Sequence, residues 1–170
     1  MSLVFAPGPR VHAVDLDDPN DRTHWVRLLG EYDAASGALL PLGESAREAT
    51  AKELTLWPGF YSWMHWQNRK GVGVINCFIG YDTRRGRSIF RVQDLFVAPP
   101  FRSKGIGRAL LLRAEEEARL LRCAAIVVAA PQSTAAGSQF AALHYCVCFA
   151  STGAERGSDP LVVFHKEISS

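Results

Sequence analysis

The chain is predicted to fold as an α/β (α+β) domain, a mixed central sheet with helices on both faces. Three observations carry this expectation. Segments with the alternating spacing of strands are interleaved with segments at helical spacing. Three strand-like runs between residues 60 and 97 are joined by short polar turns, the pattern of an antiparallel meander. A continuous apolar run, Ala124 to Ala130, has the composition of a buried strand beside a parallel neighbour. The 170 residues, 48% hydrophobic and 21% charged, suit one domain over residues 1–170, and no Gly/Ser linker divides them.

The expected order is β-α-α-β-β-β-α-β-α-β. Residues 9–15 alternate as a short strand. Asp17-Asp18-Pro19-Asn20 opens a helix to about Tyr32, with Trp25, Leu28 and Leu29 as its apolar stripe. Gly37 and Pro41 break the chain. Glu44 to Leu56 reads as a second helix, with Ser45 as its N-cap and Glu48 as the capping-box partner. Phe60–Gln67, Val72–Tyr81 and Ser88–Val97 form the meander. A long amphipathic helix then spans about Ser103 to Arg122. Ile106, Leu110, Ala114, Ala118 and Leu121 line its apolar side, and the pair Glu115–Arg119 lies on its wet side. Residues 134–148 suit a further helix, and Leu161 to Ile168 a final strand.

Composition excludes several functional classes. A net charge of +2 does not suit a nucleic-acid coat or a polybasic membrane binder. No apolar stretch reaches the about 18 residues that a membrane span needs. The cysteines (Cys77, Cys123, Cys146, Cys148) form no CxxC, and the five histidines have no ligand spacing, so no metal is expected. The N-terminus carries no secretion signal, and the expected location is the cytoplasm. The small net charge nevertheless hides a local imbalance. Residues 84–108 hold seven basic residues against one acid, Asp94, whereas residues 1–53 hold nine acids against five basic residues.

The richest stretch runs from Val92 to Leu111, where a strand ends, a basic Gly-containing loop follows and an amphipathic helix starts. Gly105 and Gly107 allow close backbone approach to a ligand. The first amides of a helix lack internal acceptors and carry the positive end of its dipole, which together suit a phosphate or pyrophosphate. Arg102, Lys104 and Arg108 add full charges. The spacing is neither that of a P-loop nor that of a Rossmann fingerprint, whose third glycine falls on Leu110.

Asp94-Leu-Phe-Val-Ala-Pro-Pro-Phe-Arg-Ser-Lys-Gly-Ile-Gly-Arg-Ala-Leu-Leu resembles the acetyl-CoA-binding motif of GNAT-type N-acetyltransferases, whose (Q/R)-x-x-G-x-(G/A) core is met at Arg102, Gly105 and Gly107. The resemblance implies that Leu95, Phe96 and Val97 pair through their backbone with the pantetheine arm of acetyl-CoA. It implies that Arg102, Ser103, Lys104, Gly105, Ile106, Gly107 and Arg108 hold the pyrophosphate. The strand at Ala124–Ala130 would splay from its neighbour to admit the cofactor, and an amide near Val97 would polarise the thioester. The family's second motif falls on Ala141 to Phe149, with Cys148 where glycine is usual. There the family's general acid, a tyrosine, aligns with His144 without a gap or with Tyr145 after a one-residue shift. Asp94 stands where family members carry an acid and is the candidate base, or else a charge partner of Arg91 or Arg102. The first two helices wall the acceptor site in such proteins, which draws in Tyr32 and Asp33, with Glu44 and Glu48 beside them.

The expected function is therefore acetyl transfer from acetyl-CoA to a primary amine, on a small molecule or on a peptide N-terminus or lysine. The amine attacks directly, with no cysteine nucleophile. A non-catalytic acyl-CoA-binding module, acting as a sensor or partner subunit, is the alternative. The partners expected are an amine-bearing acceptor, with no nucleic acid and no membrane, and a homodimer on family analogy alone.

Overall fold

A computed structural model of the chain describes residues 10–36, 41–131, 140, 142–150 and 161–168. The elements follow as β1 (Val11–Ala13), α1 (Pro19–Ser36), α2 (Glu44–Leu54), β2 (Phe60–Gln67), β3 (Lys70–Asp82), β4 (Arg87–Val97), α3 (Ile106–Leu120), β5 (Ala125–Pro131), β6 (Cys146–Ala150) and β7 (Leu161–Glu167). The strands are hydrogen-bonded in the order β1-β2-β3-β4-β5-β7-β6. This is the mixed α/β architecture expected, with seven strands and, among the described residues, three α-helices.

Two compact units make up the chain: residues 1–76 with 94–113, and residues 77–93 with 114–170. In the first unit, β1 pairs antiparallel with β2, from Val11 opposite His65 to Ala13 opposite Trp63. Asn68 and Arg69 both take left-handed φ, 47° and 62°, which matches the twist of a two-residue hairpin turn between β2 and β3. The α1 helix starts where the sequence signals it. Pro19 occupies the first helical position, and the Asp18 carboxylate accepts the Asp21 amide at 2.9 Å. Trp25, Val26 and Leu28 of α1 join Leu16, Ala51, Met64, Val74, Phe96 and Ala98 in one apolar core. Removing such areas from water is the main stabilising term in folding.

The α2 start differs from expectation. Its N-cap is Gly43, with no side-chain cap bond, and Ser45 already lies inside the helix. Glu48 forms an ion pair with Arg22 at 3.3 Å instead of closing a capping box. The cap shifted because the Gly43 carbonyl accepts both the Ala46 and the Arg47 amides.

In the second unit, β4 and β5 pair in parallel, from Ile89 opposite Ala125 to Val92 opposite Val128. The ladder ends there, although β4 continues to Val97 and β5 to Pro131. On its other side β5 pairs with β7 along its whole length, antiparallel from Ala125 opposite Glu167 to Pro131 opposite Leu161. The parallel neighbour expected for the apolar run is therefore present. The helix expected over residues 134–148 is corrected at its C-terminal end. Cys146–Ala150 is strand β6, paired antiparallel with β7 and carrying a register shift between Val147 and Phe149. The early part of that expectation lies outside the described residues, apart from helical Phe140 and Ala142. Strand pairing with β7 decided this segment over its local helical pattern.

One residue of α3 overturns its expected environment. Glu115 is 1% exposed, not on a wet face. Arg119 does lie four residues on, at 3.4 Å, but the carboxylate also takes Lys166 and Tyr145. Partners from outside the helix made burial of that charge tolerable.

Candidate acyl-CoA site

The Arg102–Arg108 loop belongs to the first unit and follows β4 directly. A short 3-10 turn, Pro99–Phe101, reverses the chain after Val97. Ser103 and Gly105 then take left-handed φ, 59° and 76°. Gly105 tolerates this without steric cost, and its carbonyl accepts the Ala109 amide at 3.0 Å as the first bond of α3. The amides of Ile106, Gly107 and Arg108 are therefore the free first donors of that helix. Nothing lies within 4 Å of where a Gly105 Cβ would stand, so the backbone there faces open space.

The helix is held firmly behind the loop. Ile106 and Leu110 are buried, and Gly73 of β3 passes so close that a Cβ there would meet Ile106 at 3.1 Å and Leu110 at 3.2 Å. Arg102 Nε donates to the Val97 carbonyl at 2.9 Å, with its guanidinium 5.7 Å from the Phe96 ring. Lys104 Nζ donates to the Pro100 carbonyl at 3.0 Å and stands 5.4 Å from the Phe101 ring. Arg108 is exposed. The loop thus combines three cations, three free helix amides and an open face, a set that fits a pyrophosphate.

Asp94, on the same strand, sits in a buried polar network that the sequence does not announce. Asn76 Nδ2 donates to its Oδ2 at 2.9 Å. The Asn76 carbonyl oxygen in turn accepts Trp25 Nε1 at 2.9 Å and Ser62 Oγ at 2.7 Å. Asn76 is 1% exposed, so its orientation is fixed by these partners. Burial pushes the Asp94 carboxyl above its ordinary range. The Asn76 amide pulls the other way, and the charge of Asp33 adds to the rise. Arg102 goes to Val97, and among the described residues neither Arg102 nor Arg91 forms an ion pair with Asp94, the charge-pair alternative.

Tyr32 and Asp33 lie near Asp94. The Tyr32 ring packs on Phe96 at 5.6 Å. Its hydroxyl is pushed above its usual value by burial first, then by the charges of Asp94 and Asp33. Asp33 is paired with Arg47 at 3.2 Å, and Glu48 with Arg22, so two acids of the expected acceptor wall already have cationic partners. Tyr32, Asp33, Asp94, Phe96 and the loop all belong to the first unit.

The two candidate acids lie in the second unit. His144 is exposed and takes a left-handed φ of 64°. Tyr145 is 5% exposed, and its hydroxyl donates to Glu115 Oε1 at 3.1 Å. Lys166 Nζ donates to the other carboxylate oxygen at 2.8 Å. Burial, followed by the Glu115 charge, pushes the Tyr145 hydroxyl far above the ordinary phenol range.

Asn76 and Ser62 were not read from the sequence, and Glu115 was read only as a solvent-facing partner of Arg119. The one available signal for Asn76 was a single amide inside the apolar run of β3, which must find partners when buried. Glu115 stands in a run of three glutamates and gave no signal of its burial.

Residues 25–145 match the model of the acetyltransferase (GNAT) family, and the chain belongs to that family. Among solved structures it is similar to a ribosomal-protein-alanine N-acetyltransferase from Brucella melitensis. That pair shares 18% identity at a TM-score of 0.73, over 92% of this chain and 98% of the other. An aminoglycoside 6'-N-acetyltransferase complexed with coenzyme A shares 16% identity at a TM-score of 0.71, over 94% and 97%. The NatC complex bound to Gag peptide and CoA shares 14% at 0.73, over 94% and 98%. At these identities the likeness shows the fold. No curated protein sequence matches the chain. Among the described residues, no group of three or more His, Cys, Asp or Glu could hold a metal, and no helix is long and apolar enough to cross a membrane.

Proposed function

We propose that the protein transfers an acetyl group from acetyl-CoA to a primary amine. The observation that carries this reading is the basic loop ending at Gly105, with its free α3 amides and open face, in a chain of the GNAT family. Acetyl-CoA supplies the activated acyl group. Arg102, Lys104, Arg108 and the amides of Ile106, Gly107 and Arg108 hold its pyrophosphate, and the backbone of Leu95–Val97 lies along its pantetheine arm.

Asp94 acts as the base in this reading. Its raised affinity for protons suits a group that must take one from an ammonium ion. Asn76 positions it, since Trp25 and Ser62 leave the Asn76 amide one direction in which to donate. The neutral amine attacks the thioester carbonyl to form a tetrahedral intermediate. Its collapse breaks the C–S bond, leaves an amide, and requires one proton at sulfur. Tyr145 and His144 are the candidate donors. The Glu115 bond weighs against Tyr145, because losing that proton would set a phenolate beside a carboxylate. Tyr32 lies on the acceptor side, and Asp33 orients Arg47 there.

The aminoglycoside and peptide amines handled by structural neighbours mark two substrate classes to try first. The test is release of free thiol from acetyl-CoA with a panel of such amines. Release that needs both an amine and intact Asp94 supports the reading. Tight CoA binding with no release from any amine supports the non-catalytic module instead, the alternative that the Tyr145–Glu115 bond favours.

A further inference from the structure

A cavity of about 890 Å³ in the second unit has Arg87, Arg119, Arg122 and Cys123 among its lining residues. Three of its lining residues are arginines and none is an acid. Arg119 reaches Glu115 at 3.4 Å. The side chains of Arg87 and Arg122 have no hydrogen-bond or ion-pair partner among the described residues. Their neighbour Arg85 differs, being paired with Asp82 and Glu167. Burial pushes the Cys123 thiol up, so it adds no negative charge.

The backbone supplies a second, independent observation. α3 ends with the Cys123 amide donating to the Ala118 carbonyl and the Arg122 amide to that of Arg119. That closure puts Arg122 in the left-handed region, at φ 54°. Glycine is the usual residue there because a Cβ is strained. The helix end in this conformation leaves Arg122 among the residues that line the cavity.

We propose that this cavity is an anion site, built by Arg87, Arg119 and Arg122 for a ligand of phosphate chemistry. Three arginines lining one cavity match an anion with several oxygens and more than one charge, since a planar guanidinium fork takes two oxygens. A single carboxylate leaves at least one guanidinium unmatched. The site is separate in composition from the Arg102–Arg108 loop, and the proposal does not depend on acetyl transfer.

The test is calorimetric titration of inorganic phosphate and of pyrophosphate into the full chain, at low ionic strength, with and without CoA. Binding of one equivalent that persists in the presence of CoA is expected. Arg122→Gly and Arg87→Gln should each weaken it at least tenfold, while Arg84→Gln leaves it unchanged. Arg122→Gly relieves the left-handed strain, so its melting temperature should not fall and lost binding cannot be blamed on misfolding. Absence of binding overturns the proposal. So does equal affinity in both variants, which marks an adventitious ion only. Binding abolished by CoA overturns it too, because the anion then belongs to the loop.

Discussion

Replacing Glu115 with alanine tests whether its carboxylate anchors the Tyr145 cluster in the fold. The carboxylate is 1% exposed and receives three donors: Lys166 at 2.8 Å, Tyr145 at 3.1 Å and Arg119 at 3.4 Å. Removing it leaves the Tyr145 hydroxyl without that acceptor, which costs about 1–3 kcal/mol for a buried polar group. Breaking a buried ion pair by deleting one member costs about 3–5 kcal/mol, because the other charge is stranded. Here that figure must be reduced, since the Lys166 side chain is 21% exposed and that of Arg119 46%, so water can reach both. A net loss of about 3 kcal/mol follows, equivalent to about 6–12 °C in melting temperature for a chain of this size. Urea unfolding followed by circular dichroism reads the loss directly. Tyr145→Phe should cost only about 1 kcal/mol, since Glu115 keeps Lys166. The triple replacement Glu115→Leu, Tyr145→Phe, Lys166→Met should recover most of the loss, because the one donor it leaves, Arg119, is exposed enough to be solvated by water. A loss under about 0.5 kcal/mol for Glu115→Ala, the range of an ordinary surface change, refutes the reasoning.

Two further outcomes follow. Gly105→Val places a β-branched residue at φ 76° and fills the open side of the loop, so CoA affinity measured by calorimetry should fall at least tenfold while the fold survives; unchanged affinity removes the loop from the site. Asp94 binds its proton more tightly folded than unfolded, so its contribution to stability is full below the ordinary carboxylate pKa and is lost as pH rises through the raised value. Asp94→Asn should therefore be more stable than the parent at neutral pH, with the difference shrinking on acidification. The same variant should lose the acidic limb of the pH–rate profile together with most of the activity, and a variant that keeps that limb excludes Asp94 as the base.

Much of the fold was legible because its signals are local. The periodicities placed β2, β3, β4, α3, β5 and β7 within a few residues of their observed bounds. The Asp18-Pro19 pair marked the start of α1, and the glycine spacing marked the loop. The α2 cap failed because Gly43 offered a backbone solution that needs no side chain. The segment at 146–150 failed because its strand identity comes from β7, a partner remote in sequence.

The same division runs through the candidate site. By itself the sequence determined the family and the basic Gly loop, and it singled out Asp94. Those are properties of residue type at fixed spacing along one strand, loop and helix. Only tertiary structure decided what surrounds each ionisable group. It turned Asn76 onto Asp94, gave Asp33 to Arg47, and drew Glu115 inward to hold Tyr145 and Lys166. The physical reason is that desolvation and pairing depend on what packs within a few ångströms, and those partners are separated by 14 to 51 positions in the chain.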